Sequence, residues 1–186
     1  MAAYFFDSSA VVKRYVREIG TAWVLSIMAP TAGHFIYVAH IAGVEVVSAI
    51  TRQARHGALA PTDAATALIQ FRHDFAHQYH TVDITSTLIT QAMALAETHA
   101  LRGYDAVQCA AALAIHTHRQ TLGMPSLTLV SADTALNIAA TLEGLQQTRT
   151  HEVCANTYDP LAQAGHAIRK RAARYLCPDI RVVLCT

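Results

Sequence analysis

Four acids, Asp7, Glu45, Asp105 and Asp133, have the types and settings that could do chemistry. Glu45 is the most telling. It sits inside an expected helix, in the run Gly43-Val44-Glu45-Val46-Val47, where helix capping cannot explain it. On helical spacing it shares a face with Ile41, Ser48 and Ala49, small or apolar residues that should pack inward. An inward carboxylate needs a partner, and no basic residue lies one turn away on that face. A divalent cation is one such partner, because hard ions such as Mg²⁺ prefer carboxylate and water oxygens to His or Cys.

The other three acids carry two readings each. Asp7 and Asp133 stand immediately before expected helices, where a carboxylate can simply cap the first turn. Asp105 also precedes a helix, and Gln108 three residues on makes the pair resemble a capping box. Ser131 is either a further cap or a ligand to water. If the four acids converge, mutual repulsion raises some of their pKa values and makes the cluster a cation site.

The elements that must position these acids follow from apolar periodicity and its breaks. A short aromatic run ends at Asp7, and Ser8 and Ser9 offer capping hydroxyls to a helix over residues 10–17. The pattern predicts a helix over 21–28, a strand over 35–38, and a helix over 40–56 stopped by Gly57. Pro61-Thr62-Asp63 opens another helix carrying Leu68, Phe71, Phe75 and Tyr79. A strand over 80–84, helices over 85–100 and 105–118, a buried strand over 127–130 and a helix over 134–142 complete the series. Strands alternating with helices indicate an α/β fold whose parallel sheet is covered on both faces, with ligands near the strands' carboxyl ends. Asp7 and Asp133 lie just past two such ends.

Composition sets bounds on what the chain can be. A length of 186 residues suits one sizeable core, and 53% hydrophobic against 15% charged residues excludes a disordered chain. No apolar run is long enough to span a membrane, and Asp7 interrupts any signal-peptide core, so a cytoplasmic location is expected. Cys109, Cys154, Cys177 and Cys185 form no CxxC pair, so reduced thiols are expected, with Cys109 a small core residue. The net charge of +1 argues against strong non-specific nucleic-acid binding, although 12 of the 14 basic residues are Arg, which suits local phosphate contact. Among eleven histidines, His73 and His77 stand one helical turn apart without a third zinc ligand, so surface histidines are expected.

Four segments together resemble a known family. They are Tyr4-Phe5-Phe6-Asp7-Ser8-Ser9-Ala10-Val11-Val12-Lys13, Val44-Glu45-Val46-Val47-Ser48-Ala49, Leu101-Arg102-Gly103-Tyr104-Asp105-Ala106 and Val130-Ser131-Ala132-Asp133. In order and spacing they are similar to the PIN-domain ribonucleases, and within them to the VapC-type toxins of bacterial type II toxin–antitoxin systems. The resemblance covers residues 1–150 and implies a three-layer α/β/α sandwich with a central parallel β-sheet. It further implies a homodimer, a cognate antitoxin, and one or two Mg²⁺ or Mn²⁺ ions held by Asp7, Glu45, Asp105 and Asp133. Ser9 and Ser131 match positions that support the metal or its waters.

The expected chemistry is then hydrolysis of RNA phosphodiester bonds to 5′-phosphate and 3′-hydroxyl ends. Asp7 and Asp105 would take the principal ion, and Glu45 could orient the attacking water. Lys13, Arg14, Arg17, Arg52 and Arg55 are candidates to grip flanking phosphates, each with a solvated helix face as the plainer reading. A housekeeping RNA-processing nuclease and a non-catalytic binding module are the alternatives. Residues 151–186 form an extension of unassigned role that carries the basic stretch Ile168-Arg169-Lys170-Arg171-Ala172-Ala173-Arg174-Tyr175.

Overall fold

A computed structural model describes residues 1–150. The extension expected over 151–186, with its basic stretch, lies outside the described residues.

The chain runs β1 (Ala3–Phe6), α1 (Ser8–Val11), a 3₁₀ turn (Val12–Arg14), α2 (Thr21–Met28), a second 3₁₀ turn (Pro30–Ala32), β2 (Phe35–Ala39) and α3 (Ala42–Arg55). It continues through α4 (Pro61–His77), β3 (His80–Val82), α5 (Ser86–His99), α6 (Gly103–Thr121), β4 (Leu127–Ser131), α7 (Thr134–Leu142) and β5 (Gln146–Arg149). All strand pairings are parallel, in the order β3-β2-β1-β4-β5. The chain therefore steps outward from β1 through β2 to β3, then returns across to β4 and β5. Strand order reverses between β1 and β4, and in such sheets the crevice beyond the carboxyl ends at the reversal is where ligands bind.

Alternation along the strands builds the two cores. Ala3 and Phe5 of β1, Ala39 of β2 and Leu127 and Leu129 of β4 face one core, where they meet α5, α6 and α7. Phe6, Ile36, Val38 and Val130, the alternate positions, face the other core, against α1 to α4. The result is the expected three-layer α/β/α sandwich. Each fully buried Phe or Leu contributes about 1.5–3 kcal/mol by leaving water, which makes the central strands the firm floor of any site at their ends.

Local chemistry sets the element ends. Pro61 occupies the first turn of α4, and the Thr85 side chain caps α5 by accepting from the Leu88 amide. Gly43 lets α3 and α4 approach closely, since a Cβ there would lie 3.1 Å from the Phe75 ring.

Three differences from the sequence reading matter. The helix after Asp7 is shorter than residues 10–17: it tightens into the 3₁₀ turn and ends at Arg14, leaving Arg17 in a loop. Helix α6 begins at Gly103, so Asp105 lies inside its first turn and the cap position falls to Arg102, whose side chain makes no capping bond. Strand β5 was not anticipated, because Gln146-Gln147-Thr148-Arg149 offers no apolar alternation and its pairing with β4 sets it at the sheet edge.

Candidate functional site

Asp7 leaves the end of β1 at the strand-order reversal, and its backbone amide still bonds to the Val130 carbonyl of β4. Its carboxylate is buried and densely held. One oxygen, Oδ2, accepts from the Ser9 hydroxyl at 2.6 Å, the Ser9 amide at 3.2 Å and the Ser131 hydroxyl at 3.0 Å. The other, Oδ1, accepts from the Ser8 hydroxyl at 3.4 Å. Asp7 is thus the N-cap of α1, as the plainer reading held, and also the centre of a hydroxyl network.

That network ties β4 to β1. The Ser9 hydroxyl accepts from the Ala132 amide at 2.9 Å, and the Ser131 hydroxyl accepts from the Asp133 amide at 2.9 Å. Ser131 is fully buried. Each serine therefore orients the Asp7 carboxylate while fixing the turn that presents Asp133. Asp133 caps α7, accepting from the Leu136 amide at 2.9 Å through Oδ1.

Glu45 is the fourth residue of α3 and half-buried. The face it shares with Ile41, Ser48 and Ala49 is only partly buried: Ile41 and Ala49 pack against the two cores, and with Tyr104 and Arg52 the face lines an open cavity of about 470 Å³. Its partner comes from α6, where the Gln108 side-chain amide donates to Glu45 Oε2 at 2.6 Å. Gln108 thus bonds across to another helix, so the capping box read at Asp105 does not form.

Electrostatics ties the four acids together. Burial raises the Asp7 carboxyl above the usual range, against the lowering effect of its serine hydrogen bonds. Glu45 is raised by burial and further by the charges of Asp7 and Asp105, with Gln108 and Ser8 bonding in the opposite sense. Asp105 is pushed up to about 6 by burial, then by Asp133 and Asp7. The four acids therefore lie near enough to feel one another's charge, and of them Glu45 lines the open cavity. As they stand, no group of three or more His, Cys, Asp or Glu side chains among the described residues is arranged to hold a metal ion. The donor chemistry still fits one: the set is all oxygen, and its mutual repulsion is the strain a divalent charge would relieve.

The basic residues divide. Lys13 is buried and paired with Glu18 at 3.1 Å. Arg14 bonds Asp74 at 3.0 Å and the Met28 carbonyl at 3.0 Å, within a network that includes Tyr15 and Gln78. These two stabilise the layer formed by α1 to α4 and are withdrawn as phosphate contacts. Arg17, Arg52 and Arg55 are exposed. Arg52 lines the Glu45 cavity, and both Arg52 and Arg55 line the groove that continues along α3.

Other candidates fall where expected. His73 and His77 stack at 4.7 Å on an exposed part of α4. Cys109 is buried among the alanines of α6, and its thiol is pushed up to about 12 by burial, which makes it a poor nucleophile. Sequence reasoning missed Ser8, between Asp7 and Glu45, and the bond from Gln108. A buried polar side chain on the alanine-rich face of α6 was the available signal for Gln108.

No family model matches the chain. Ribonuclease VapC45 of Mycobacterium tuberculosis (strain CDC 1551 / Oshkosh) is 31% identical over 144 residues, which is 77% of this chain and 93% of the relative. Ribonuclease VapC49 of Mycobacterium tuberculosis (strain ATCC 25618 / H37Rv) matches with the same identity and coverage. Among solved structures, PAE2754 from Pyrobaculum aerophilum superposes with a TM-score of 0.54 at 16% identity, over 84% of this chain and 88% of that one. VapBC2 from Rickettsia felis, bound to a DNA fragment from its promoter, gives a TM-score of 0.52 at 13% identity, over 79% and 98%. The structures agree in fold, and the relatives in sequence over nearly their whole length. The chain belongs to the VapC family of PIN-domain ribonucleases.

Proposed function

We propose that this chain is a Mg²⁺- or Mn²⁺-dependent endoribonuclease, the toxin of a type II toxin–antitoxin pair. It hydrolyses RNA phosphodiester bonds to leave 5′-phosphate and 3′-hydroxyl ends. The observation that carries this reading is that the Ser9 and Ser131 network joins Asp7 to the turn presenting Asp133, while Gln108 bonds Glu45 to the helix carrying Asp105, in a chain of the VapC family.

Asp7 and Asp105 would hold the principal cation, with Glu45 and Asp133 completing the set directly or through water. A bound divalent ion would polarise the scissile phosphate, acidify a water and offset charge on the leaving oxygen. The chain's own residues do the rest. Ser9 and Ser131 anchor Asp7 Oδ2 and leave Oδ1 comparatively free. Glu45, oriented by Gln108, accepts a proton from the attacking water. Arg52 and Arg55 hold phosphates along the groove beside α3.

The same acidic pocket suits a basic segment of an antitoxin, and a partner of that kind is consistent with the likeness to VapBC2. No helix among the described residues is long and apolar enough to cross a membrane. The cytoplasm, where RNA is found, is the proposed location, and a homodimer the proposed assembly.

The test is cleavage of total cellular RNA by purified wild type and Asp7→Asn, with Mg²⁺, Mn²⁺ or chelator, followed by mapping of the cut ends. Cleavage by the loaded wild type alone, with 5′-phosphate ends, supports the reading. Cyclic phosphate ends, or equal cutting by the variant, would overturn it. Growth arrest on expression, relieved by the product of an adjacent small gene, separates a toxin from a housekeeping nuclease.

A further inference from the structure

We infer that Gln108 is the positioning residue for Glu45: its amide fixes the carboxylate oxygen Oε2 and so sets the orientation of that carboxylate toward the cation or the attacking water. The inference rests on the function proposed above, and its observations are independent of it.

Gln108 is fully buried on α6, where the other buried residues of the same helix stretch are Ala106, Cys109, Ala110, Ala111 and Ala112. An amide in such surroundings loses its water and must recover hydrogen bonds from the protein. It recovers one good bond, from Nε2 to Glu45 Oε2 at 2.6 Å, while its Oε1 is buried without a partner. The fold alone does not ask for this arrangement, since an apolar side chain would fill the space without stranding a buried amide oxygen, at the cost only of the donor to the half-buried Glu45. The amide's orientation is dictated by the carboxylate, because turning it around would set two oxygens against each other at that distance.

The bond also reaches across the site. Glu45 is carried by α3 and Asp105 by α6, one turn before Gln108. Gln108 therefore links the helices that bring two of the four acids to the pocket, and sets the Glu45 carboxylate relative to Asp105. Groups that orient a metal ligand through a hydrogen bond typically change affinity or activity by about 10–100-fold when removed.

The test uses Gln108→Met, which keeps the volume and removes the donor, and Gln108→Asn, which keeps the amide and shortens its reach. Mn²⁺ affinity is read by electron paramagnetic resonance, RNA cleavage as kcat and KM, and folding by thermal melting. The expected result for both variants is a folded protein with Mn²⁺ affinity or kcat reduced about 10–100-fold and KM for RNA unchanged. In a Glu45→Gln background, Gln108→Met should cost less than threefold further, because a residue acting through Glu45 has nothing left to position. Should Gln108→Met fail to fold, Gln108→Asn carries the same comparison. Folded variants within twofold of wild type in both affinity and kcat would overturn the inference, as would an undiminished loss in the Glu45→Gln background. A wild type that neither binds Mn²⁺ nor cuts RNA would instead overturn the proposed function.

Discussion

Replacing Asp105 with Asn should stabilise the metal-free protein while removing its response to metal. The Asp105 carboxyl titrates at about 6 in the fold against an ordinary value of 3.8. A raised folded value means that the native state holds a proton the unfolded chain releases, so stability falls as pH rises from about 4 to about 6. Taken whole, the shift corresponds to about 3 kcal/mol. Asp105 is only half-buried, and solvent screening reduces this to about 1 kcal/mol. Its charge also interacts favourably with the N-terminus of α6, a contribution of about 0.5 kcal/mol that the substitution loses. The net gain for Asp105→Asn at pH 8 is then about 0.5 kcal/mol, a rise in Tm of about 1–2 °C for a chain of this size. At pH 4 the gain should vanish. Thermal melting after chelation, repeated with saturating Mg²⁺ or Mn²⁺, reads both effects, since a ligand that binds only the native state raises its stability. Wild type should gain several degrees from metal and the variant little. A variant destabilised equally at both pH values, or a wild type indifferent to metal, would refute the reasoning.

Further predictions follow from neighbouring contacts. Ser131→Ala removes a donor to Asp7 Oδ2 and should raise the Asp7 pKa further, moving the acid limb of the pH–rate profile to higher pH; an unmoved limb would count against the network. Arg14→Ala leaves the buried Asp74 short of its cation and should cost about 3 kcal/mol in denaturant unfolding, whereas Arg52→Ala should change stability by under about 0.5 kcal/mol and weaken RNA binding. The Cys109 thiol should resist iodoacetamide in the folded protein at pH 8 and react on unfolding, as followed by mass spectrometry.

Much of this architecture is legible in the residues because it rests on local pattern. The aromatic run before Asp7 and the apolar run before Asp133 are strands whose ends carry the acids, and both were readable from short apolar runs and the capping residues that follow them. Glu45 was readable by a different route, as a helical carboxylate with no basic partner on its own face, although the structure sets it in the first turn of α3 on a face only partly buried. What could not be read depends on contacts between distant segments. The partner of Glu45 proved to be Gln108, 63 positions away, a residue whose spacing from Asp105 imitates a cap. Lys13 and Arg14 look like a basic face in sequence, yet Glu18 and Asp74 hold them within the fold. Strand β5 is polar throughout, and only pairing with β4 makes it a strand.

The central claim is that Asp7, Glu45, Asp105 and Asp133 form one divalent-cation site. The most direct measurement is anomalous scattering from crystals soaked in Mn²⁺. The account predicts a peak, single or paired, within ligation distance of Asp7 and Asp105 at the ends of β1 and β4, and its loss in Asp105→Asn. A peak at His73 and His77 instead, or one at the acids that survives that substitution unchanged, would contradict it.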